Sequence, residues 1–190
     1  MDKCETVLLD TNCLLDLAED RAPQAAPLRQ VIGGYRNDEY ELVAAAITAS
    51  ENPKRGAPPK TWEEFVSLLD RAGLPGLWAL SPMGYWDVTF WGHALWTDEA
   101  MKQLEQKVHA ILAPSLDMED RVDEPRWRNT KCDVQLVWTA LWHEVDVLIT
   151  SDKGILSKAR SLAKLGINVL APASFVAAGI PRGQVAKDGH

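Results

Sequence analysis

Cysteine is scarce. There are three in 190 residues, an odd number, and none is spaced as CxxC. That excludes a disulfide-stapled scaffold, argues against a zinc knuckle and fits a reducing compartment. No run of about 18 apolar residues occurs, so no segment is expected to cross a bilayer. The opening MDKCETVLLDTNCLLDLAED lacks a basic stretch leading into an unbroken apolar one, so no signal peptide is expected and the protein is read as cytoplasmic. GxxxxGKS/T, GxGxxG and GxSxG are all missing, which removes the common nucleotide-cradling and hydrolase-elbow readings. His143-Glu144 has no second His at zincin spacing, and His93 and His109 stand alone. Basic residues are outnumbered, 20 against 27 acids, for a formal net charge of -7. This argues mildly against a protein that coats nucleic acid without specificity. The charge is uneven, however. Six acids fall in residues 1–20, whereas Lys153, Lys158, Arg160 and Lys164 cluster with no acid between them. Shorter basic stretches over 54–60 and 126–131 leave room for a local basic surface.

What is present is the 46% apolar, 25% charged balance of an ordinary folded protein rather than a disordered or fibrous one. Residues 6–9 (TVLL) read as a strand buried on both faces. Residues 11–18 have helical spacing, and 27–35 form a weaker helix. Residues 40–47 (YELVAAAI) read as a strand running into a helix that carries Glu51. The pattern changes over 54–128: a turn-rich KRGAPPK, a helix over 61–69 with Thr61-x-x-Glu64 as a capping box, an aromatic stretch without period over 77–96, an amphipathic helix over 98–112 and an acidic loop over 114–125. Regularity returns with a helix over 130–143, a buried strand over 145–150, a basic helix over 154–165 stopped by Gly166, a strand over 167–170 and a short helix over 172–178. Strands alternating with helices predict βαβ units and a parallel sheet.

In such a sheet, ligands sit beyond the carboxyl ends of the strands. Asp10 directly follows TVLL and Asp152 follows VLITS. Glu51 opens the helix after the second strand, and Asp133 is expected in the first turn of NTKCDVQLVWTALW. Four carboxylates from four distant segments can thus converge on one edge. Two carboxylates about 4 Å apart repel by roughly 4 kcal/mol at an effective dielectric near 20, so such a cluster needs protons or cations. Hard oxygen donors without His or Cys suit Mg²⁺ or Mn²⁺, ions that serve phosphodiester hydrolysis by activating water and steadying a leaving oxygen. Each acid also has a purely structural use. Asp10 and Asp152 can cap the helices they precede, and Thr48-x-x-Glu51 and Thr130-x-x-Asp133 can be capping boxes.

In the pieces VLLDTNCLLDL, ITASE and TKCDVQLVWTALWHEVDVLITSDKGIL the chain resembles the PIN-domain nucleases, particularly the VapC-like ribonucleases of toxin–antitoxin pairs. The match covers roughly residues 5–51 and 129–176. The resemblance implies a three-layer α/β/α fold around a mainly parallel sheet, in one domain over 1–190. It also implies a Mg²⁺- or Mn²⁺-dependent endoribonuclease with RNA as substrate. It makes Asp10, Glu51, Asp133 and Asp152 the acidic metal-site residues, and Asn12, Thr150 and Ser151 polar supports near the metal or the scissile phosphate. A cognate antitoxin is implied as a partner for toxin members, and a homodimer is compatible, since small domains of this kind often pair. The segment 53–128 departs from compact members as a Trp-rich insertion of helices and loops, and Glu63 or Glu64 is the fallback for Glu51.

Six of the eight tryptophans lie in or beside that insertion. They are read as core or interface residues in general. Trp127, between Arg126 and Arg128, is singled out as suited to an RNA strand near Asp133. Lys54, Arg55 and Lys153 are further candidates for phosphate contact. Trp138 and Trp142 are read as core, and Cys13 and Cys132 as small buried residues. A catalytically inactive PIN-like module binding RNA or protein is the alternative function. A phosphatase of the haloacid dehalogenase type is disfavoured, because the second Asp it needs is Asn12.

Overall fold

Thr6–Leu9 (β1) places Val7, Leu8 and Leu9 consecutively with no solvent exposure. A strand without polar positions needs cover on both faces, and the period of two decides which side chain goes where. Val7 and Leu9 enter one apolar layer and Leu8 the other. In the computed structural model, residues 4–47, 59–85, 88–90, 92–117 and 124–178 are described. On either side of β1 lie Glu41–Ala45 (β2) and Val147–Ile149 (β4), in parallel register through Leu8↔Val43 and Leu8↔Leu148. Ala79–Leu80 (β3) extends the sheet beyond β2, and Asn168–Leu170 (β5) beyond β4. The order β3-β2-β1-β4-β5, with every pair parallel, reverses between β1 and β4. The crevice outside their carboxyl ends is therefore the natural ligand site.

Thr11–Ala18 (α1), Ala25–Arg36 (α2), Trp62–Arg71 (α3) and Pro172–Ala178 (α8) cover one face, through Leu14, Leu28, Phe65 and Phe175 among others. Glu99–Leu112 (α4), Glu124–Trp142 (α5), Lys153–Leu156 (α6) and Ala159–Ala163 (α7) cover the other, through Val108, Val137, Ile155 and Leu162. This is the expected three-layer α/β/α arrangement. Trp138 is fully buried, donates its Nε1–H to the Met101 carbonyl at 3.1 Å and stacks on Trp142, tying α4 to α5. Cys13 and Cys132 are buried, as expected.

Described parts of the stretch 53–128 are built into the main fold: β3 is a strand of the main sheet, and Phe65, Val108 and Trp127 belong to its two cores. Three readings are corrected. The helix expected over 130–143 starts at Glu124. Pro125 falls in its first turn, where a missing N–H costs nothing, so the Pro that suggested a loop instead opens the helix. The basic helix over 154–165 is two short ones. Ser157 turns its hydroxyl onto the Gly154 carbonyl at 2.7 Å, and this local bond competes with helix continuation. Gly166, at φ +103°, ends the second. At α3, Thr61 Oγ1 accepts from the Glu64 N–H at 3.2 Å, but the Glu64 carboxylate accepts from the N–H of Lys60 rather than Thr61.

Candidate metal centre

The end of β1 delivers Asp10 into the crevice, where it is buried. Its carboxylate accepts from the Asn12 N–H at 3.1 Å, from Asn12 Nδ2 at 3.4 Å and from Thr150 Oγ1 at 2.6 Å. Asp10 thus caps α1 and also binds the end of β4. Thr150 relays the contact, since its Oγ1 accepts the Asp152 N–H at 3.0 Å. Burial raises the Asp10 carboxyl above its ordinary value of 3.8, and the Asp152 charge adds to this. The hydrogen bonds from Thr150 and Asn12 oppose the shift.

Asp152 caps α6 by accepting the Ile155 N–H at 3.0 Å. A Cβ at Gly154 would stand 2.9 Å from the Asp152 carboxylate, so any side chain at 154 would push that carboxylate aside. The structural uses foreseen for Asp10 and Asp152 are therefore real, and both acids still share one sheet edge.

Asp133 is different. With the helix beginning at Glu124, it lies midway along α5 and cannot cap anything, which corrects its expected place in a first turn. Among the described residues, no hydrogen bond or ion pair reaches its carboxyl group. Burial pushes that carboxyl well above its ordinary range, and the charges of Asp152 and then Asp10 push it further. Three carboxylates from β1, α5 and the end of β4 thus act on one another, and among the described residues no cationic side chain acts on Asp10 or Asp133.

No family model matches the chain, and no curated protein matches it.

Among the described residues, no group of three His, Cys, Asp or Glu side chains is arranged to hold a metal ion. The donor chemistry still suits a hard divalent cation: among the described residues, three carboxylates without a cationic partner, and a buried Asn12 Oδ1 with no hydrogen-bond partner. Asp10, Asp133 and Asp152 would hold such an ion, with Asn12 beside them.

Glu51, Lys54 and Arg55 lie outside the described residues. The fallback acids are not brought in: Glu64 is engaged at the start of α3, and neither it nor Glu63 acts on Asp10 or Asp133. Asn12 and Thr150 both donate to Asp10. Ser151 donates to Asp16 at 3.2 Å. Asp16 is a buried acid that the sequence reading passed over, held also by Arg21 at 3.9 Å. Its signal was its place four residues after Asn12, on the same face of α1. Trp127 is corrected: it is 5% exposed and packed in the core, so it offers no face to a base. Arg126 beside it is exposed, Arg128 is half-buried, and Lys153 is exposed at the start of α6. Among the described residues, no helix is long and apolar enough to cross a membrane.

Proposed function

We propose that the protein is a Mg²⁺- or Mn²⁺-dependent endoribonuclease that hydrolyses RNA phosphodiester bonds, in the manner of the PIN-domain nucleases it resembles. The observation that carries the reading is Asp133: a carboxyl group midway along a helix, capping nothing, beside two other acids at the crevice between β1 and β4. A protein has no stabilising use for such a group, because its burial and its neighbours both disfavour its charge. Asp10, Asp133 and Asp152 would hold a divalent ion, which would supply the missing positive charge and the activation of water that phosphodiester hydrolysis needs. The chain's own part is orientation. Thr150 and Asn12 fix the Asp10 carboxylate, the Ile155 N–H fixes Asp152, and α5 presents Asp133 to both.

The alternative, a PIN-like module that binds RNA or protein without cutting, is favoured by one observation: the described acids do not form a closed ligand set. One assay separates the two. Purified protein incubated with end-labelled single-stranded RNA and Mn²⁺ should yield shorter fragments, and EDTA should stop this. Binding without fragments at any Mn²⁺ concentration removes hydrolysis and leaves the module.

A further inference from the structure

The stretch after β3 takes no part in the acid cluster, yet it is anchored to the same sheet edge. Thr89 pairs in an antiparallel bridge with Ile47, just beyond β2. The Ile47 carbonyl accepts from Thr11 Oγ1 at 3.5 Å, one residue from Asp10. Met83 bridges Leu95, the Leu95 N–H donates to the Pro82 carbonyl at 2.8 Å, and the Leu95 carbonyl accepts from Gly84 at 3.1 Å. The loop is closed on itself and held against the carboxyl ends of the strands.

It encloses a cavity of about 430 Å³, lined among others by Tyr85, Thr89, Phe90, Leu95, Trp96 and Thr97. That size suits a small ring-bearing ligand. Among the described residues that line it there is no Lys, Arg, His, Asp or Glu, so these offer nothing to a phosphate and little to a charged peptide. A flat, neutral ring with polar edges fits it better. Trp96, on its wall, is 96% exposed. That indole adds nothing to the core, but its surface is available to stack on a planar partner. RNA combines a neutral planar base with a phosphate that belongs at the acids, and the cavity and the acids share one edge.

We propose that this cavity holds an unpaired base of single-stranded RNA, stacked on Trp96, beside the phosphodiester presented to Asp10, Asp133 and Asp152. The inference rests on the hydrolytic reading for its choice of RNA, and its test keeps the two apart. Binding of fluorescein-labelled oligouridylate to the full chain is followed by anisotropy in EDTA, where nothing is cut. Trp96→Ala should weaken binding by about 10- to 100-fold, the loss of one base stack. Trp96→Phe, which keeps a π-face, should retain most of the affinity. Because Trp96 is exposed, both variants should melt with the wild type. Photoreactive iodouridine in the oligonucleotide should cross-link to Trp96 or its cavity neighbours. Equal affinity of Trp96→Ala and wild type overturns the proposal, as do cross-links confined to other surfaces. So does an effect of Trp96→Ala on self-association alone, which would assign the cavity to a protein contact. In a parallel Mn²⁺ assay, Trp96-dependent binding without cleavage keeps the cavity and removes hydrolysis. Cleavage with an unchanged KM in Trp96→Ala does the reverse.

Discussion

Asp133→Asn should lower Mn²⁺-supported RNA cleavage by about 100- to 1,000-fold while raising the melting temperature of the metal-free protein. The two effects share one cause. The charged form of Asp133 is disfavoured by burial, Asp152 and Asp10 alike, so a neutral isostere relieves the apo protein and deprives the cation of a ligand. For a chain of this size, each kcal/mol relieved is worth about 2–4 °C. The pH dependence follows from the direction of the shift. Below the ordinary carboxyl value of 3.8, folded and unfolded chains both hold the proton. As pH rises from there, the unfolded chain releases it first, so the folded state loses stability until its own raised pKa is passed. The gap between Asp133→Asn and wild type should therefore be widest at neutral pH and close toward pH 4. Adding Mn²⁺ at neutral pH should raise the melting temperature of the wild type and leave the variant unmoved. Asp10→Asn should lose cleavage similarly but gain less stability, because Thr150 and Asn12 already satisfy Asp10. Thermal melts across pH with and without Mn²⁺ check this. An Asp133→Asn variant that melts below wild type in EDTA would mean that the carboxylate has a stabilising partner, and the cation site would lose its basis.

The central strands were legible because TVLL and VDVLIT are short apolar runs ending in polar residues, and a strand covered on both faces has no other signature. The acids at their ends followed from the rule for ligands in parallel sheets, without any pattern in the acids themselves. Pro172–Ala178 was legible from its Pro start alone. What escaped was whatever tertiary packing decides. A two-residue strand, Ala79–Leu80, has no periodicity to detect, so its place in the sheet could not be read. Pro125 carries the same letter in a loop as in a first helical turn, and misplacing it put Asp133 at a helix end and Trp127 on a surface. Asp16 was passed over because its spacing from Asn12 is a weak signal on its own and its partner Ser151 comes from the far end of the chain. Lys131 was counted with a basic stretch, yet it is among the most deeply buried side chains.

Lys131→Met should destabilise the protein by about 3–5 kcal/mol, the cost of leaving one partner of a buried ion pair alone. Lys131 Nζ lies 3.1 Å from Glu105 Oε1, with both side chains almost wholly out of solvent. Glu105 is also the acceptor for Gln135 Nε2 at 3.2 Å and for the Tyr85 hydroxyl at 2.8 Å. The Lys131 ammonium sits 4.6 Å from the centre of the Tyr85 ring and 5.6 Å from that of Trp127. One carboxylate thus joins α4, α5 and the loop around the base cavity, and removing its cation leaves three elements tied to an uncompensated charge. That such a pair is costly to break does not make it favourable to have, since two apolar residues in its place are often as good. The double variant Lys131→Met/Glu105→Gln separates the two meanings. Glutamine keeps its carbonyl oxygen as acceptor for Gln135, and its amide N–H can donate to the Tyr85 hydroxyl, all without the charge, so urea midpoints of the double variant should return most of the way to wild type. If the double variant is as unstable as Lys131→Met alone, the attraction between the charges itself holds α4 to α5. If the single variant unfolds within about 1 kcal/mol of wild type, the pair is better solvated than its burial implies. Because Lys131 and Gln135 flank Asp133 on α5, the same series reads function as well. A double variant that regains stability but not Mn²⁺-supported cleavage would show that this ion pair sets the position of α5 at the acid cluster and does more than hold the helix in place.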